Sequence, residues 1–144
     1  MSEQQEPRIP ASVWSHRVSY GETDAMGVVY YANYFHWFEK ARNKILLDHG
    51  LSYSEIEEQG LYLPVNETYC HYHQPARFDQ LIDVRVEIGQ WGRASIRFDY
   101  EVINRNLEYR KISEGWTHHA FVDGQGKPKR VPPWFREIFF PPSE

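Results

Sequence analysis

The chain of 144 residues is long enough for one hydrophobic core and too short for two, and its formal charge of -4 sets aside the overall basic balance that would point to nucleic acid or an anionic membrane. Its 10 Tyr, 8 Phe and 5 Trp suit interfaces and predict an oligomer. The lone Cys70 excludes an internal disulfide, no apolar run approaches a membrane span, and "MSEQQEPRIPAS" lacks the regions of a signal peptide, so a cytoplasmic protein is expected.

Residues 1–12 are polar, carry two prolines and show no period, which predicts a mobile tail ahead of one domain over residues 13–144. "WSHRVSY" then alternates as a strand, with Trp14, His16, Val18 and Tyr20 on one face. After a loop, helical spacing begins at Asn33, a candidate N-cap, and places Phe35, Phe38, Ala41 or Arg42, Ile45 and Leu46 on one side before Gly50 closes the end. "LSYSEIEEQG" predicts a second, short helix opened by Ser52 or Ser54 and stopped by Gly60.

The remainder reads as strands. "LYLPVNETYCHYHQPA" is bounded by Pro64 and Pro75. "LIDVRVEI" puts Ile82, Val84, Val86 and Ile88 inward, and "SIRFDYEV" does the same with Ile96, Phe98, Tyr100 and Val102. A turn at "NRN" leads to "LEYRKISEGWTHHAFV", which ends at "DGQG". One long helix with four or five antiparallel strands predicts a two-layer α+β domain. Because aromatics cover so much of the helix, with Tyr34, Phe35, Trp37 and Phe38 close together, the sheet is expected to wrap it.

The stretch "GETDAMGVVYYANYFHWFEKAR" packs an acid, a glycine, an aromatic cluster and a helix start into a short space. Free N–H groups at a helix start stabilise a developing oxyanion, and a carboxylate beside them can attack a carbonyl or activate water, which is what acyl transfer needs. The same residues also fit a plain Asx turn, Asp24 capping its own backbone and Gly27 completing the bend. Spacing alone leaves both readings open.

The motif resembles the signature of the hot-dog-fold acyl-CoA thioesterases, in the branch of 4-hydroxybenzoyl-CoA thioesterase and its short-chain acyl-CoA relatives. "YLPVNETYCHYHQPARFDQLIDVRVEI", "RASIRFDYEVIN" and "KPKRVPPWF" extend the resemblance over residues 14–138. It implies a long central helix wrapped by an antiparallel sheet, and hydrolysis of a small acyl-CoA without metal or redox cofactor. It places the catalytic aspartate at Asp24, the backbone N–H that polarises the thioester carbonyl at Tyr31, and the loop-shaping glycine at Gly27. Arg93 falls where the hydroxybenzoyl enzyme has a basic residue near the CoA phosphates, "GKPKR" adds Lys127, Lys129 and Arg130, and an arginine fork suits that task. Alternatively, this set is a solvated basic turn. The resemblance further implies a homodimer that joins sheets edge to edge and often pairs again to a homotetramer. One departure concerns Tyr31: short-chain relatives often carry histidine there, and the hydroxybenzoyl enzyme has tyrosine followed by proline, where this chain has Ala32.

Two rival functions remain: a hot-dog dehydratase or hydratase, which would want a histidine in this motif, and a non-catalytic acyl-thioester binding module. The pairs His71 with His73 and His118 with His119 read as polar outer-face or interface residues rather than metal ligands. Cys70 does not read as a nucleophile, its neighbours Tyr69 and His71 pointing to the opposite sheet face. Glu39 and Arg42, three apart on the helix, are expected to form a structural ion pair.

Overall fold

A computed structural model describes residues 9–141. Five antiparallel strands form one sheet in the order β1-β3-β4-β5-β2, with β1 at Ser12–Arg17, β2 at Val65–Tyr72, β3 at Leu81–Trp91, β4 at Ser95–Asn104 and β5 at Arg110–Ala120. Helix α1, Asn33–Asp48, lies across the inner face. The inward rows predicted for β3 and β4 are buried at Ile82, Val84, Val86, Ile96, Phe98, Tyr100 and Val102, while Ile88 near the strand end is half-buried.

The sheet wraps the helix as expected. Tyr34, Trp37, Phe38, Ala41, Ile45 and Leu46 are buried, a stripe wider than a single heptad seam because the curved sheet covers α1 from several directions. Phe38 stacks on Tyr100 with ring centroids 4.2 Å apart. On β5, Gly115 makes this close approach possible: a Cβ there would lie 3.0 Å from the Phe38 ring and 2.2 Å from the Tyr69 carbonyl oxygen.

Helix α1 ends as predicted. Gly50 takes a φ of +82°, and Gly50 N–H and Leu51 N–H return to the carbonyls of Leu47 and Leu46, the double bond of a Schellman cap. Helix α2, Tyr53–Glu58, is opened by Ser52, whose hydroxyl accepts from Glu55 N–H. Among the described residues no helix is long and apolar enough to cross a membrane.

Several expectations are corrected. Of the tail expected over residues 1–12, residues 1–8 lie outside the described residues and Ser12 already belongs to β1, where its hydroxyl donates to Asp48 Oδ2 at 2.6 Å. The first strand ends at Arg17, and Tyr20 is 76% exposed rather than inward. The reason is tertiary: Val18 exchanges backbone bonds with residues 79–80 ahead of β3, and the chain then tightens into a 3₁₀ turn at Tyr20–Glu22. Asn33 is the first residue of α1 rather than its cap, the cap position being held by Ala32. Arg42 does not pair with Glu39; its Nη1 donates to the Tyr100 hydroxyl at 3.1 Å.

The sequence reading also missed a third helix, α3, at Pro133–Phe139. Its signal was Pro133 at the first turn with apolar Phe135 and Phe139 one turn apart. Both phenylalanines pack edge-on against Trp91 at the end of β3.

Candidate active site

The turn that begins at Ser19 is built around one side chain. Glu22 Oε1 accepts from Ser19 N–H at 2.8 Å, from the Ser19 hydroxyl at 3.0 Å and from His16 Nε2 at 2.7 Å. Glu22 Oε2 accepts from Trp37 Nε1 at 2.7 Å. Burial works to raise the Glu22 pKa, and these donors outweigh it, holding the carboxyl below the usual range.

A miniature hairpin follows. Tyr30 N–H donates to Glu22 O, Asp24 N–H to Val28 O, and Thr23 bridges Val29. Its tip closes through Gly27 N–H to Asp24 O, with Gly27 at a φ of +77°, a conformation that glycine takes at no steric cost. Asp24 Oδ1 accepts from Met26 N–H at 2.8 Å, while Oδ2 accepts nothing from the described residues. Asp24 therefore forms an Asx turn and still leaves one carboxylate oxygen exposed.

The hairpin docks on the segment after β2 through Val29 N–H to Ala76 O and the Val28–Arg77 bridge. This brings Asp24, Val28, Tyr31, Tyr34, Tyr72 and Pro75 around a cleft of about 270 Å³. At the helix start, the N–H groups of Asn33, Tyr34 and Phe35 turn back onto the carbonyls of Tyr30, Tyr31 and Ala32. The N–H groups of Tyr31 and Ala32 donate to no described residue, so they stand as free donors at the positive end of α1.

Tyrosines wall the cleft. Burial pushes the Tyr34 phenol up to about 12, and burial together with Cys70 raises Tyr72 as well, so both are neutral donors near pH 7. The Tyr72 hydroxyl donates to Tyr31 O at 3.1 Å. Cys70, two residues back, is half-buried against the Ser113 hydroxyl at 3.2 Å, and burial raises its thiol pKa, the reverse of what a nucleophile needs.

The basic residues lie elsewhere. Arg93 sits in the β3–β4 turn, where its carbonyl accepts from Val131 N–H; Arg130 precedes that residue, and Lys127 is held by its N–H on Asp123 Oδ1. The Asp24 hairpin docks just before β3 begins and Arg93 follows just after β3 ends, so an 11-residue strand, on the order of 30 Å long, separates the two groups within one chain. Beside Arg93 opens a groove of about 670 Å³ that also includes Trp91 and Arg136, with the Arg136 guanidinium 5.1 Å from the Trp91 ring centroid. Arg136 was missed because α3 was missed.

The histidine pairs divide between environments. His71 and His73 stack with centroids 4.3 Å apart, and His73 lies 3.2 Å from Glu114. His118 bonds Asn66 in an exposed pair, whereas His119 is buried between Leu63 O and the Thr117 hydroxyl.

Comparison with known proteins places these features in a family context. The family model of the thioesterase-like superfamily matches residues 18–139. The chain is 33% identical over 120 residues to the acyl-CoA thioester hydrolase YbgC of Escherichia coli, covering 83% of this chain and 88% of that protein. It is 34% identical over 127 residues to the acyl-CoA thioesterase YbgC of Haemophilus influenzae, covering 85% and 90%. The solved structure of DHNA-CoA thioesterase from Staphylococcus aureus superposes with a TM-score of 0.84 at 28% identity, covering 90% of this chain and 89% of that one.

Proposed function

Because the chain belongs to the thioesterase-like superfamily, we propose that it hydrolyses a small acyl-CoA, short-chain or aromatic, to the free acid and CoA. The observation that carries this reading is the placement of the Asp24 carboxylate in one cleft with Tyr31, whose backbone N–H is free. In the proposed reaction the thioester carbonyl oxygen accepts from Tyr31 N–H, and the positive end of α1 stabilises the charge that develops there. Asp24 then acts in one of two ways. As nucleophile it forms a bond to the carbonyl carbon while the C–S bond breaks, CoA leaves as thiolate, and water hydrolyses the resulting anhydride. As general base it takes a proton from the water that attacks the same carbon, after which the C–S bond breaks and CoA leaves as thiolate.

The cleft volume of about 270 Å³ falls just below the usual span of ligand sites, roughly 300–1,000 Å³. That size and the walls of Tyr31, Tyr34 and Tyr72 favour a short or aromatic acyl group over a long chain. Strand β2 lies at the sheet edge with Val65, Tyr69 and Tyr72 exposed, and an exposed edge invites pairing with a second copy. In the resulting homodimer, and in a homotetramer made from two of them, Arg93, Lys127 and Arg130 of one protomer meet CoA phosphates bound at another protomer's cleft. A cytoplasmic setting keeps the free Cys70 thiol reduced.

The test is thiol release over a panel of acetyl, short-chain, long-chain and aromatic acyl-CoAs. Turnover concentrated on short or aromatic substrates is expected. Inactivity across the panel would contradict hydrolysis and favour the binding-module reading.

A further inference from the structure

We infer that Glu22 is a positioning residue for hydrolysis: its carboxylate ties the Asp24 hairpin to β1 and to α1 together, and thereby sets the offset between Asp24 and the Tyr31 N–H. The inference rests on the proposed roles of those two groups.

Six hydrogen bonds carry it. Through His16 the Glu22 carboxylate reaches β1, and His16 is itself held by stacking on Trp14 with centroids 4.9 Å apart. Through Trp37 it reaches the second turn of α1, whose indole is only 2% exposed and finds its acceptor in Glu22. Through Ser19 N–H and hydroxyl it closes the turn that feeds the hairpin. Its own backbone carbonyl receives Tyr30 N–H and Asn33 Nδ2, the latter at 2.9 Å, so the hairpin and the first residue of α1 share one acceptor.

Asp24 lies two residues after Glu22 on one arm of the hairpin, and Tyr31 follows the other arm at Tyr30. No other side chain among the described residues joins β1, this hairpin and α1 by hydrogen bonds. A carboxylate is required because all these side-chain partners are donors to it. A glutamine would turn an N–H₂ group toward either Trp37 Nε1–H or the Ser19 donors, and one set would be left without an acceptor. Displacement of a reacting group by about 1 Å costs on the order of 100-fold in rate.

The experiment measures kcat and KM for the best acyl-CoA of the panel in wild type, Glu22→Gln and Trp37→Phe, well below each variant's Tm. Glu22→Gln is expected to lower kcat roughly 10- to 100-fold with KM nearly unchanged, and Trp37→Phe, which removes one of the contacts, to lower it less. In the Asp24→Asn background, Glu22→Gln should cause no further loss in kcat, because it acts through Asp24. Wild-type kcat in Glu22→Gln, or a loss that multiplies with that of Asp24→Asn, overturns the inference. Should Glu22→Gln fail to fold, Trp37→Phe decides, and unchanged kcat in it overturns the inference equally. A wild-type enzyme inactive on every acyl-CoA would instead refute the hydrolase reading on which the inference rests.

Discussion

The Tyr72 hydroxyl donates to the carbonyl oxygen of Tyr31 across 3.1 Å, tying the edge strand β2 to the residue that opens the α1 turn. The same carbonyl accepts from Tyr34 N–H, so this one group joins the helix start, its first turn and the neighbouring strand. The bond holds the peptide plane that follows Tyr31, which carries the free N–H of Ala32, and so braces the chain beside the Tyr31 N–H.

Tyr72→Phe keeps the ring and removes that bond. A neutral hydrogen bond of this kind contributes about 0.5–1.5 kcal/mol, so Tm should fall by a few degrees. Activity should fall further than stability alone explains, with kcat lowered roughly 3- to 10-fold. Steady-state kinetics at a temperature where the variant is fully folded check this, and an unchanged kcat would make Tyr72 purely structural.

The remote basic group makes a different prediction. Arg93 stands on the order of 30 Å from the reacting end within its own chain, so it can act only on binding. Arg93→Ala should raise KM for acyl-CoA several-fold with little change in kcat. Measuring the same variant on an acyl-pantetheine substrate, which lacks the nucleotide phosphates, should show no difference from wild type. An unchanged KM for acyl-CoA would return Arg93 to a solvated turn.

Stability in mild acid should depend on His119. Burial first, and the nearby Arg42 charge second, lower its pKa to about 4 from 6.5, and the side chain is 1% exposed. Between those pH values the unfolded chain binds a proton that the folded chain does not, so stability falls as pH falls from about 6.5 to about 4. The full effect approaches about 3 kcal/mol. Denaturant midpoints taken between pH 7.5 and 5 should decline in wild type and flatten in His119→Gln. Equal slopes would show that His119 is not the group responsible.

How much of this was legible beforehand differs by level. Alternation along Ile82–Ile88 and Ile96–Val102 marks one buried face without help from tertiary structure, because period two is a local property. The end of β1 was not local: Val18 leaves the strand because it pairs with residues 79–80, some sixty positions away. Asp24, Gly27 and Tyr31 could be named from the motif, and the structure places Asp24 and Tyr31 on one cleft. Glu22 could not be distinguished from any other turn acid, since its meaning comes from His16 and Trp37 on two separate elements. Arg136 escaped notice with α3, whose seven residues are too few for periodicity to declare.

The proposed hydrolysis depends on the charge of the Asp24 carboxylate. Asp24→Asn retains size and a carbonyl acceptor for Met26 N–H while removing the charge. The direct measurement is thiol release by this variant on the best acyl-CoA substrate, with wild-type circular dichroism and Tm confirming the fold. The expected result is a loss of kcat of at least about 100-fold with KM little changed; turnover at the wild-type rate would remove Asp24 from the reaction.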